Sequence, residues 1–146
     1  MKLSPFFSLV HLGRSARVAA SVALLTASLT SAALASSGVG VTSNPQVGNI
    51  LVDDRGMTLY RFTVDQPNES TCYDSCARAW PPVLVDAVPQ IQDATLSAGL
   101  GTAPRTDGTQ QLTFQGAPLY AYIGDAQPGD ITGQESDGVW FVVNPS

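Results

Sequence analysis

Cys72 and Cys76 are the only thiols in the chain, and their spacing admits two chemistries. Residues four apart face each other across one helical turn, so the pair can close a five-residue disulfide ring. In the chain-entropy picture such a ring is worth about 2 kcal/mol. At a helix N-terminus the same thiols would have lowered pKa values and could exchange electrons with a partner. Cys-x-x-x-Cys is not the Cys-x-x-Cys of thioredoxin-like proteins, and no alternating strand and helix pattern surrounds it. A structural bridge is therefore the expected role, with thiol/disulfide or electron-transfer work as the alternative. Covalent haem needs a histidine directly after the second cysteine, where Ala77 stands.

The single histidine, His11, lies in the N-terminal segment. If that segment is removed, Ser-His-Asp and Cys-His catalysis, histidine-ligated zinc and blue-copper sites go with it. Two thiols are too few for a zinc Cys₄ site, and Met57 is the only methionine past Met1. Carboxylate chemistry survives. Asp125, Asp130, Glu135 and Asp137 stand among Gly129, Gly133 and Gly138 and form a weak Ca²⁺ candidate through oxygen ligands, without EF-hand spacing. A glycosidase pair of carboxylates needs a long cleft, which so small a domain does not promise. No Gly-rich phosphate loop is present. The expectation is a protein without cofactor and, on balance, without enzymatic activity.

The elements that must position these residues are written twice. Tyr60-Arg61-Phe62-Thr63-Val64-Asp65 returns 60 positions later as Tyr120-Ala121-Tyr122-Ile123-Gly124-Asp125. At the same offset Gly56 matches Gly116, Leu59 matches Leu119, Trp80 matches Trp140 and Val83 matches Val143, which marks a duplicated unit. Strand alternation puts Tyr60, Phe62 and Val64 on one face, expected to be the core face; in the second copy both faces are apolar, and Tyr120 and Tyr122 are left open. Asp65 and Asp125, just past each strand, are placed to accept loop N–H groups or a tyrosine hydroxyl. The alternative is a carboxylate that faces a ligand. Ser70 or Thr71 is expected to cap a short helix running through Ala79.

These signals predict an all-β domain of two pseudo-symmetric antiparallel meander repeats, packed like a sandwich, with one short helix near the cysteine pair. Repeat one is placed at 48–86, a linker at 87–98 and repeat two at 99–146, with 36–47 as a tether or first strand. Residues 1–35 read as a secretory signal: Lys2, Arg14 and Arg17 precede the uncharged Val18 to Leu34, and Ala33-Leu34-Ala35 offers a cleavage site near Ala35. Beyond it, four arginines face twelve carboxylates, a net charge of −8. Nucleic acid is not an expected partner of so acidic a chain.

The doubled Tyr-x-aromatic-x-x-Asp, the run from Cys72 through Trp80-Pro81-Pro82, and the closing Gly138-Val139-Trp140-Phe141 resemble a bacterial family of secreted or predicted lipid-anchored proteins with the Yx(FWY)xxD repeat. That resemblance implies a periplasmic or other cell-envelope location and a repeated β unit, and brings no established activity. No cysteine ends the signal segment, so no lipid anchor is expected. The resulting expectation is an exported binding or structural module for an envelope protein, a surface polymer or another copy of itself. The motif residues Tyr60, Phe62, Asp65, Trp80, Tyr120, Tyr122, Asp125 and Trp140 would be its centre.

Overall fold

Residues 38–145 are described by the computed structural model, so the signal segment expected at 1–35 lies outside the described residues. The class is all-β, with two antiparallel sheets and two short α-helices among the described residues. Strand β1 (Val39–Asn44) pairs with β2 (Gly48–Asp53), Val41 opposite Leu51. Asn44 Oδ1 accepts the Gln46 N–H within their turn, and Gly48, at φ 81°, supplies the left-handed residue that ends it. The segment left open between tether and strand is thus partly strand. The second sheet runs in the order β4 (Leu100–Pro104), β5 (Gln110–Phe114), β6 (Ala117–Tyr120), β3 (Tyr60–Phe62), β7 (Trp140–Val142).

The two repeats do not each keep to their own sheet. Strand β3 of the first lies between β6 and β7 of the second, with Tyr60 directly opposite Tyr120. Because that pair is its own image under the 60-residue offset, the local twofold axis passes between the two tyrosines. The closing segments are exchanged as well. Val83 N–H donates to the Leu119 carbonyl at 2.9 Å, and Val143 N–H donates to the Leu59 carbonyl at 3.1 Å. Each repeat's last strand therefore completes the hairpin of the other. Valines suit these slots because β-branched side chains pack well on a pleated surface.

Burial on both strand faces splits the core in two. Ile50, Val52, Tyr60, Cys72, Trp80, Tyr120, Trp140 and Val142 make an aromatic cluster. Leu51, Leu59, Val85, Leu96, Leu112, Phe114, Leu119 and Val143 make an aliphatic one. Neighbours such as Leu59 and Tyr60 fall in different clusters, as period-two alternation requires. Tyr60 and Tyr120 thus share one core, which settles the face of the second motif. Val64, expected with them, is half exposed because β3 ends at Phe62 and the chain turns.

Helix α1 (Asp74–Ala79) starts later than expected and has no side-chain cap. Ser70 and Thr71 are unavailable for that role: Ser70 Oγ lies 2.7 Å from Tyr120 Oη, and Thr71 is held by Asp65. Helix α2 (Ala94–Gly99) lies in the linker, where Asp93 Oδ1 accepts the N–H groups of Thr95 and Leu96.

Candidate functional site

The motif tyrosines and aspartates meet across the repeats. Tyr60 Oη donates to Asp125 Oδ2 at 2.8 Å, and Tyr120 Oη donates to Asp65 Oδ2 at 2.6 Å. The remaining oxygens hold the loops. Asp65 Oδ1 accepts Thr71 N–H and Oγ1–H, both at 2.7 Å. Asp125 Oδ1 accepts Thr132 N–H at 2.9 Å and Oγ1–H at 2.6 Å. Hydrogen bonds to an ionised acceptor are the stronger kind, so each carboxylate fastens its own loop to the other repeat's strand. Both tyrosine hydroxyls are pushed well above their ordinary pKa, first by burial and then by the facing carboxylate.

The aromatic members of the motif form one ladder. Phe62 stacks on Trp140 with centroids 4.2 Å apart, Trp140 on Trp80 at 4.0 Å and 2° between planes, and Trp80 on Tyr122 at 4.2 Å. Tyr60 meets Trp80 edge-on at 5.3 Å, and Tyr120 meets Trp140 likewise at 5.1 Å. Offset stacks and edge contacts of this kind add roughly 0.5–1.5 kcal/mol per pair beyond area burial. Gly133 makes room for the ladder, since a Cβ there would stand 2.5 Å from Trp80 Cη2.

One half carries an addition that its sequence did not announce. Arg105 is 6% exposed. Its Nη1 donates to Ser70 Oγ at 2.8 Å and to Gln111 Oε1 at 2.7 Å, and its Nη2 donates to the Cys72 carbonyl at 3.0 Å. Its plane lies 4.2 Å over the Tyr73 ring. Nε has no hydrogen bond; Asp107 Oδ2 stands 3.6 Å away, near enough for charge attraction only. A chain of contacts thus runs from Arg105 through Ser70 and Tyr120 to Asp65. In the other half Tyr60 Oη instead accepts the Gly133 N–H at 3.3 Å. Pro45 stands where the offset would place a second Arg105.

Cys72 and Cys76 are joined in a disulfide, with Cys72 fully buried and Cys76 half-buried. Loop geometry corrects the alignment of the copies here. Thr132 does the work of Thr71, so Gly133 is the counterpart of Cys72. The four acidic residues of the 125–137 loop are not gathered into a cage: Asp125 is in the clasp, and Asp130 Oδ2 accepts the N–H groups of Ala126 and Gln127. Among the described residues no group of three His, Cys, Asp or Glu could hold a metal ion.

Beside each motif aspartate the surface is hollowed. The hollow at Asp65 has about 220 Å³ and is bordered by Arg61, Phe62, Thr63 and Gln115. The one at Asp125 has about 410 Å³ and is bordered by Ala121, Tyr122, Ile123 and Arg55. All four pairs are 60 apart, so these are one hollow in two versions. The first is lined by polar and apolar groups in similar measure, with Arg61 and Thr63 among them; the second is mainly apolar, with Ile123 66% exposed on its rim.

The family described as a "secreted repeat of unknown function" matches residues 41–84 and 101–144. The chain belongs to this family. The two matched stretches are the strand-exchanged halves described above, so the secreted-repeat unit recurs here as an interlocked pair. No curated protein and no solved structure matches the chain. The protein is a secreted one, and among the described residues no helix is long and apolar enough to cross a membrane.

Proposed function

We propose that this secreted-repeat protein is a non-enzymatic binding module of the cell envelope, which presents its two repeat-related hollows to an envelope protein or surface polymer. The observation that carries this reading is the divergence of the hollows around a retained clasp. All four motif carboxylate oxygens accept hydrogen bonds within the protein, so the shared residues are committed to structure. The residues around them vary, with Arg61 and Thr63 on one side against Ala121 and Ile123 on the other. Variation on a rigid frame is how loops acquire binding specificity. The larger, apolar hollow has the size of a small ligand or a few side chains. The acidic surface favours cationic partners.

Purified envelope polymers and envelope protein fractions, titrated separately against the protein, test this. Ile123→Asp is expected to abolish binding of one fraction without lowering the melting temperature. Binding that is insensitive to both Ile123→Asp and Arg61→Glu removes the reading. The thiol/disulfide alternative has less support, because Cys72 is inaccessible and its carbonyl is held by Arg105. A reduction potential in the oxidoreductase range would revive it.

A further inference from the structure

The ladder that joins the repeats has a property that close packing does not require. Its four stacked rings run from one hollow to the other: Phe62 borders the hollow at Asp65 and Tyr122 the apolar one at Asp125. Between them lie the two indoles, the aromatic side chains that most readily lose an electron without also losing a proton, parallel and in contact. Beside the indoles stand two fully buried phenols, each already donating its proton to a carboxylate. A phenol gives up an electron readily only when its proton has somewhere to go, and a base within hydrogen-bond distance is the arrangement that proton transfer needs.

We propose that the ladder carries oxidising equivalents inward from the Tyr122 hollow and holds them on Tyr60 as a neutral tyrosyl radical. A one-electron oxidant of the peroxide-derived radical class takes one electron at Tyr122, or at Trp80 stacked behind it. The vacancy settles on the paired indoles. Tyr60, 5.3 Å from Trp80, then returns one electron to the indole. Its Oη–H bond breaks, and the proton passes 2.8 Å to Asp125 Oδ2. The oxidant has gained one electron, and the protein holds a neutral phenoxyl beside a neutral carboxyl group. A one-electron reductant from solvent, a small thiol or phenol, supplies the electron that closes the cycle, and Asp125 returns the proton.

Two asymmetries select Tyr60 over Tyr120. Phe62 closes the far end, because a benzene ring is not oxidised under these conditions, so access is from the Tyr122 side. Tyr60 also meets Tyr122 edge-on at 6.3 Å and Trp80 at 5.3 Å, so it is the first buried phenol reached from that side, whereas Tyr120 packs on Trp140, one ring further in. Full burial shields the Tyr60 radical from solvent and from coupling with a second radical. A partner seated in the Tyr122 hollow would close this entry to the oxidant.

Photogenerated ruthenium(III) tris-bipyridyl serves as the oxidant in a flash experiment on the purified protein, read by transient absorption and electron paramagnetic resonance. The indolyl signal is expected to decay as a tyrosyl signal rises, more slowly in D₂O. Tyr60→Phe should remove most of the tyrosyl yield and Tyr73→Phe almost none. Asp125→Asn should slow tyrosyl formation about a hundredfold, the weight of one positioned proton acceptor. Equal tyrosyl yields with and without the Tyr60 hydroxyl overturn the proposal. Where a variant fails to fold, the wild-type protein decides alone: the absence of a solvent isotope effect, or a tyrosyl signal relaxing like an exposed phenoxyl, overturns it equally.

Discussion

The Tyr60–Asp125 and Tyr120–Asp65 clasps share chemistry and differ in backing. Both join a buried phenol to a carboxylate of the other repeat, and both use the second carboxylate oxygen to hold a threonine. Behind Tyr60 there is a glycine N–H; behind Tyr120 there are Ser70, Gln111, a buried guanidinium and the disulfide loop. The difference shows which parts the fold needs twice. A hydroxyl, a carboxylate and an indole recur, whereas the buried cation, from the turn after β4, and the bridge both fasten the 70–79 loop alone.

The largest expected effect ignores that asymmetry. Trp80→Ala and Trp140→Ala each remove a ring from the middle of the ladder and should cost about 4 kcal/mol, within the range for large aromatic truncations in cores. Urea denaturation of the two variants checks this, and a difference above about 1.5 kcal/mol between them would show that the ladder is not shared equally. Next comes Arg105→Ala, which strands Ser70 Oγ, Gln111 Oε1 and the Cys72 carbonyl without their donor. Unsatisfied buried groups cost roughly 1–3 kcal/mol, and about 3 kcal/mol is expected here. Hydrogen exchange should rise in the 70–79 segment and stay unchanged at 132–138, the corresponding loop of the other half.

The smallest effect is one of pH. Both tyrosine pKa values are raised above the ordinary 10.0. Below that value the tyrosines are protonated in folded and unfolded chains alike, and the stabilising difference is fully present. Above it the unfolded chain loses protons that the folded one keeps, so stability falls as the pH rises from about 10 toward the folded values. Chemical denaturation across that alkaline range should show a steeper decline for the wild type than for Tyr60→Phe/Tyr120→Phe. Parallel curves would mean that the clasps play no part in it.

Much of this was legible in the chain. The 60-residue offset announced the duplication, and Asp65 and Asp125 were identifiable as acceptors for loop N–H groups and a tyrosine hydroxyl. A repeat period states which residues are equivalent, not which ones touch, so it could not show that Tyr60 reaches Asp125 rather than Asp65. For the same reason the exchange of Val83 and Val143 between hairpins was hidden. Arg105 was illegible for a different cause. It has no counterpart in the first repeat, and its burial depends on acceptors from 70, 72 and 111 that only tertiary structure assembles. Thr71 and Thr132 follow their aspartates by six and seven residues, a one-residue slip that blurred the alignment of the cysteine loop.

The crossing of Val83 and Val143 into opposite hairpins bears on how such a molecule arises. A lone ancestral unit would have had an open hairpin and a homeless strand, satisfied only by a second identical chain in a symmetric pair. Fusing two copies through the segment around Asp86–Asp93 turns that encounter into an intramolecular one, at an effective concentration no secreted protein reaches after dilution outside the cell. Once the partner is guaranteed by covalent attachment, identity between the copies is no longer required, and one hollow is free to become apolar while the other keeps Arg61 and Thr63.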